Sequence, residues 1–148
     1  MHILSQYGAL PYVITPDGLL VCLITSRETR RWVIPKGWPK PKHESHEMAA
    51  REALEEAGLI GVVGREPIGS YLYRKRLHMF ARVTCRVTVF PLLVETQKVT
   101  WREKDERRLS WVAPDKAAKR VAEADLAQLI QSLPDWLDGP AKAVSNSR

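Results

Sequence analysis

The chain has 148 residues, 45% hydrophobic and 27% charged, with 23 basic against 17 acidic side chains and a formal charge of +6. That length supports one domain whose core needs no disulfide or structural metal, and two cysteines without ligand spacing exclude a disulfide framework and a zinc site. No apolar run approaches the ~20 residues of a membrane span and the N-terminus lacks a signal-peptide pattern, so a cytoplasmic protein with no membrane partner is expected.

In chain order, Tyr7–Ile14 reads as a strand, Thr15 to Gly18 as a turn and Leu19–Thr25 as the returning strand. A charged loop, residues 27–31, leads to a short apolar segment, Trp32-Val33-Ile34. Three prolines and a glycine between Pro35 and Lys42 argue against regular structure there. Ser45 is the expected N-cap of a helix from about His46 to Ala57, with Gly58 as its stop. Its apolar stripe, Met48, Ala49, Ala53, Leu54 and Ala57, is thin and suits close packing on a sheet.

Leu59–Val63 and Ile68–Lys75 are expected strands. From Ala81 to Val94 the sequence alternates, with Val83, Cys85, Val87 and Val89 on one face and Arg82, Thr84, Arg86 and Thr88 on the other. Such a period of two marks a half-buried strand. A polar loop, Thr96–Arg108, precedes a short strand, Leu109–Val112, and helical segments at Ala117–Val121 and Asp125–Leu133. The order implies one mixed-sheet domain of the α+β class over residues 1–137, with a frayed tail over 138–148.

Charge is unevenly spread. Residues 27–43 hold six basic side chains and residues 65–86 six more, while residues 44–56 between them hold five glutamates. Within that acidic stretch, Glu52, Glu55 and Glu56 stand three and four apart, which puts them on one side of the expected helix. Like charges so placed repel each other. A hard divalent cation such as Mg²⁺, which prefers carboxylate oxygens and water, supplies a reason to collect them. Acidic carboxylates flanked by basic segments suit a metal-assisted site for a polyphosphate.

Gly37 precedes Arg51-Glu52 by fourteen positions, and Glu55-Glu56 and Gly58-Leu59 follow. This spacing resembles the Nudix box, here spanning residues 37–59. The box glutamate expected six positions after the glycine is His43 in this chain, with Glu44 beside it as a substitute. The resemblance implies a Nudix-type α/β/α sandwich with a mixed central sheet and the catalytic helix after a Gly/Pro-rich loop. It also implies a hydrolase that cleaves a phosphoanhydride bond using Mg²⁺, with Mn²⁺ as the alternative. On that resemblance Glu52, Glu55 and Glu56 are metal ligands, joined by the carbonyl of Lys36. Glu52 is a ligand or the base, and Arg51 orients a neighbouring glutamate. Glu103 or Glu106 adds a further catalytic carboxylate from a loop outside the box.

Trp32-Val33-Ile34-Pro35-Lys36-Gly37 resembles the entry to the box in the diphosphoinositol polyphosphate phosphohydrolase group, and Gly69, Tyr71, Lys75, Trp101, Arg107-Arg108 and Trp111 extend that likeness. Arg31, Lys36, Gly37, Arg74 and Lys75 are then the expected substrate contacts. The expected substrate is a phosphate-rich small molecule, either a diphosphoinositol polyphosphate or a dinucleoside polyphosphate. An RNA 5′ end is the alternative, and a nucleotide-binding or regulatory module without strong catalysis is the alternative of another class. Trp38 and Trp101 could stack on a base or fill apolar space. A monomer and a homodimer both fit the sequence.

Overall fold

The computed structural model describes His2 to Asn146, with side chains described through Gly139; Ser147 and Arg148 of the expected tail lie outside the described residues. Eight strands form one mixed sheet: β1 (Ile3–Thr15), β2 (Gly18–Thr25), β3 (Trp32–Val33), β4 (Lys36–Gly37), β5 (Leu59–Val63), β6 (Gly69–His78), β7 (Ala81–Gln97) and β8 (Leu109–Val112). The order along the sheet is β3-β2-β1-β7-β5, while β4 pairs with β1, β6 with β7, and β8 with β2. The long strands β1 and β7 run parallel from Ile3 opposite Thr84 to Tyr12 opposite Leu93, and the other pairings are antiparallel.

Strand alternation sends side chains to two buried faces. Ala9, Cys22, Ile24, Val33, Phe90 and Leu92 meet Ala49, Ala53 and Ala57 of α1 (Ser45–Ala57). On the other face Leu10, Val21, Leu23, Ile34, Val87 and Val89 meet the helices α2 (Pro114–Arg120) and α3 (Ala124–Asn146). Leu126, Ile130 and Leu133 of α3 are fully buried there, each contributing about 1.5–3 kcal/mol by leaving water. The α/β/α sandwich expected from the sequence is therefore the fold observed.

Several local expectations change. Helix α1 is capped by Glu44 and not Ser45: the Glu44 carbonyl accepts from the Met48 N–H at 3.0 Å, and the Glu47 carboxylate accepts from the Glu44 N–H at 3.2 Å. The Glu44 carbonyl thus accepts the first helical bond and Glu47 reaches back to cap it, which starts the helix one residue early. The Pro/Gly-rich loop is not wholly irregular, because Lys36–Gly37 pairs with Tyr7–Gly8 and the Pro35 carbonyl accepts from the Ala9 N–H at 3.0 Å. Strand β7 has one polar face only as far as Thr88; beyond it Phe90 and Leu92 bury the alternate positions as well. Helix is assigned past Leu133 and past Asp138, where fraying is expected, to Asn146.

Candidate active site at the C-terminal half of helix α1

The end of α1 is shaped by its neighbours. Gly58 adopts the left-handed conformation with φ 70°, and a Cβ there would strike the Trp101 indole. Its N–H donates to the Leu54 carbonyl at 3.0 Å. Carbonyls left unpaired at the helix end are taken up by the following loop: Lys98 N–H to Gly58 at 2.9 Å, Gln97 Nε2 to Ala57 at 3.2 Å, and Glu103 N–H to Glu55 at 3.1 Å. These bonds, with Trp101 packed over Gly58, tie Glu103 to the catalytic-box helix.

Glu52 and Glu56, one turn apart, are 9% and 6% exposed, and their carboxyl groups are close enough to perturb each other. Burial raises both above the usual carboxylate range, and at Glu56 the neighbouring Glu52 carboxylate adds to the rise. The nearby Arg107 guanidinium opposes the rise at Glu56, with Nη2 3.6 Å from Oε1, but burial dominates. Arg107 also donates from Nε to Glu103 at 2.8 Å and from Nη1 to the Thr25 carbonyl at 3.1 Å. One buried guanidinium thus joins strand β2, the loop glutamate and the helix glutamates.

Gly37 lies directly against Glu52; a Cβ at residue 37 would overlap the carboxylate. Only glycine leaves room there, a steric requirement independent of φ. Lys36 is buried beside it, its Nζ 4.9 Å from the Tyr73 ring centroid. Burial pushes its ammonium down to about 8, with Glu56 partly restoring the charge. The Tyr73 hydroxyl donates to Gln6 Oε1 at 2.6 Å.

A cleft of about 790 Å³ collects most of the expected residues: Lys36, Gly37, Glu52, Glu55, Glu56, Glu103, Arg74 and Lys75 all line it, and Glu106 does too. Arg51 stands outside, on the helix surface 3.6 Å from Glu55 Oε1, where it can orient that carboxylate. Arg31 does not line the cleft; its side chain, 37% exposed, donates to Glu123 at 2.8 Å. His43 and Glu44 do not line the cleft, and Glu44 is occupied in capping α1. Trp38 lines the cleft and is 39% exposed, whereas Trp101 is used in packing.

Arg107 is legible in the sequence only as one of an Arg-Arg pair, Arg27 and Lys40 of the cleft wall only as members of the basic segment 27–43, and Arg102 carries no local signal. The spacing of Glu103 and Arg107, four apart, hints at their ion pair, but no helix spans them to make the hint usable. Among the described residues the ligand atoms that converge within 4.8 Å belong to Glu44, His46 and Glu47 at the other end of α1. Glu44 and Glu47 are exposed and paired in the helix cap, so capping accounts for them.

The Glu52–Glu56 pair fits a divalent cation better. Its donors are hard carboxylate oxygens, both side chains are buried, and burial of two neighbouring carboxyl groups disfavours their charge unless a cation offsets it.

Comparison with known proteins agrees with this arrangement. A family model described as the NUDIX domain matches residues 6–133. Nudix hydrolase 13, mitochondrial, of Arabidopsis thaliana is 28% identical over 122 residues, covering 71% of this chain and 60% of that protein. Nudix hydrolase 21, chloroplastic, of the same plant is 31% identical over 114 residues, covering 74% of this chain and 56% of that protein. The chain thus spans three-fifths or less of the length of these two relatives.

Among solved structures, a Caenorhabditis elegans Ap4A hydrolase binary complex aligns with a TM-score of 0.68 at 17% identity, covering 93% of this chain and 99% of that one. The NUDIX domain of Shewanella oneidensis NrtR complexed with ADP ribose gives 0.68 at 13% identity, covering 93% and 90%. At such identities the structural likeness speaks for the fold alone. With Gly37 and the glutamates Glu52, Glu55 and Glu56 gathered at one cleft inside the matched residues, the chain belongs to the Nudix family.

Proposed function

We propose that this chain is a Mg²⁺-dependent pyrophosphohydrolase, with Mn²⁺ as the alternative cation, that cleaves a phosphoanhydride linkage in a phosphate-dense small molecule. The observation behind it is the buried Glu52–Glu56 pair facing Gly37 in a cleft that also holds Lys36, Arg74, Lys75, Arg76 and Arg82. Such carboxylate crowding without a cation is costly, which argues against a module that has lost catalysis.

Glu52, Glu55 and Glu56 would hold the cation, and the Lys36 carbonyl is the candidate backbone ligand. Bound between these residues, such a cation would supply charge neutralisation for the phosphates and activation of water. Glu103, held by Arg107 at 2.8 Å, would accept a proton from the attacking water. The water oxygen adds to one phosphorus, the bridging P–O bond breaks, and its electron pair leaves with the departing phosphate. Lys36, Arg74 and Lys75 bind the phosphates that do not react, and Arg51 keeps Glu55 in position. Both cysteines are free and buried, in keeping with a cytoplasmic setting.

Trp38, exposed at the cleft, gives a base a surface on which to stack and favours a dinucleoside polyphosphate over a diphosphoinositol polyphosphate. The basic residues Arg74, Arg76 and Arg82 support a second reading, an RNA 5′ end, whose turnover should fall steeply with salt. The deciding measurement is phosphate or mononucleotide release with Mg²⁺ from diadenosine polyphosphates, diphosphoinositol polyphosphates, ADP-ribose, nucleoside triphosphates and 5′-triphosphorylated RNA. Turnover confined to one class identifies the substrate; no turnover of any member defeats the hydrolase assignment.

A further inference from the structure

The β6–β7 hairpin ends in Leu77-His78-Met79-Phe80, and three of these are large apolar residues in water: Leu77 is 52% exposed, Met79 67% and Phe80 88%. Met79 and Phe80 form the turn between His78 and Ala81. Two-residue hairpin turns favour Asn, Asp and Gly, so turn chemistry does not explain this pair. None of the three tip residues lines the cleft, so substrate binding does not explain them either. Single exposed apolar residues are ordinary, but three within four positions at a projecting tip form a patch that calls for a partner.

Behind the tip lies unneutralised positive charge. Arg76 stands directly opposite Arg82, and Arg86 stands opposite Leu72 with Arg74 two positions further along β6. Like charges facing each other across a strand pair are destabilising. Among the described residues no carboxylate lies within 4.0 Å of any of these four arginines, although ion pairs are made by Arg27, Arg31, Arg51, Arg102 and Arg107. The hairpin therefore retains both an apolar end and an arginine band at some cost to the isolated fold.

We propose that the β6–β7 hairpin docks this protein on an anionic phospholipid surface, with Leu77, Met79 and Phe80 entering the interface and the arginine band drawn to the lipid phosphates. Peripheral binding commonly needs two signals, apolar insertion and basic attraction, and both sit on this one hairpin. Of the three, only Phe80 offers a nucleic-acid base a ring, while Leu77 and Met79 give none to stack on, which favours lipid over RNA as the occupant. The expectation of no membrane partner rests on the lack of a spanning segment; among the described residues no helix is long and apolar enough to cross a membrane. A hairpin lying on the surface requires no such helix. Because Arg74, Arg76 and Arg82 also line the cleft, docking would set the cleft beside the lipid surface. This inference does not depend on the hydrolase assignment.

The test is co-sedimentation of the full chain with vesicles of phosphatidylcholine alone and of phosphatidylcholine mixed with phosphatidylglycerol, at low and high salt. Binding is expected only to the mixed vesicles and is expected to weaken with salt. Met79→Ser with Phe80→Ser should reduce partitioning by at least roughly tenfold. Arg86→Glu, outside the cleft, should reduce it too, and all variants should keep the wild-type thermal melt. Val99→Ser removes another exposed apolar residue, 87% exposed and distant in sequence from the hairpin, and should bind as wild type. The proposal fails if the chain stays in the supernatant with both vesicle types, or if the double variant binds as well as wild type. It also fails if Val99→Ser loses binding equally. Loss of single-stranded RNA binding, or of a dimer, by the double variant with vesicle binding unchanged would assign the hairpin to those partners instead.

Discussion

Helix α1 carries two acidic clusters, and they are acidic for different reasons. At its N-terminus Glu44 and Glu47 are exposed, cap the first turn and sit where the helix dipole favours negative charge. At its C-terminal half Glu52 and Glu56 are buried, where burial opposes ionisation and the dipole favours cations instead. The last turn contains no basic residue. The first cluster stabilises the fold, while the second taxes it and is held together by Arg107 from another element. Carboxylates that the local structure does not need are the ones that point to chemistry. Close convergence of ligand atoms, which belongs to the first cluster, is a poorer guide than burial without structural benefit.

The contrast can be broken most directly at Glu56. Glu56→Gln should lower turnover by roughly a thousandfold, about 4 kcal/mol at 1.36 kcal/mol per decade, with the fold retained. A variant with wild-type turnover would remove the second cluster from the chemistry. The same substitution should raise stability in a pH-dependent way. A carboxyl raised by burial contributes its stability below the ordinary carboxylate range and loses it as pH rises through the raised value. The melting temperature of Glu56→Gln minus that of wild type should therefore widen as pH rises above the ordinary carboxylate range. Mg²⁺ should narrow the gap by stabilising wild type alone, as thermal melts with and without the cation will show. A gap that stays constant with pH would contradict the burial of a protonated Glu56.

Arg107→Ala cuts the link between the helix and loop glutamates and should lower kcat by roughly ten- to a hundredfold, with a stability loss of about 1–3 kcal/mol. Denaturant melts and steady-state kinetics together separate the two effects. Gly37→Ala drives a methyl group into the Glu52 carboxylate and should cost roughly tenfold in turnover through misplacement, while secondary structure by circular dichroism is unchanged. The smallest effect on activity belongs to the first cluster. Glu47→Ala should lose about 1 kcal/mol of stability with the capping bond, yet leave kcat within a factor of about two. A large drop in kcat there would erase the distinction between the clusters.

The box was legible because its spacing is a property of one helix and the loop before it. Gly37, Arg51, Glu52, Glu55, Glu56 and Gly58 need only the periodicity of α1 to be assigned a side, and the alternation of β7 marked its buried face as far as Val89. The cap escaped notice because a serine is the usual N-cap, whereas here Glu47 reaches back to Glu44. Arg31 was read from charge alone, and its ion pair was not visible there. Its partner Glu123 lies 92 positions away, and such a pair leaves no trace in local sequence.

By itself, then, the sequence determined the elements, the family and the side of α1 that bears the carboxylates, since these follow from patterns within one turn or one strand. Only the tertiary structure decided which charges share the cleft. Burial of Glu56, the reach of Arg107 to both Glu56 and Glu103, and the pressure of Gly37 on Glu52 all arise where distant segments meet. The exposed tip at Met79–Phe80 likewise emerges only once the sheet shows that nothing in the described chain covers it. Periodicity is a local property of a chain, but desolvation and ion pairing depend on everything that packs around a group.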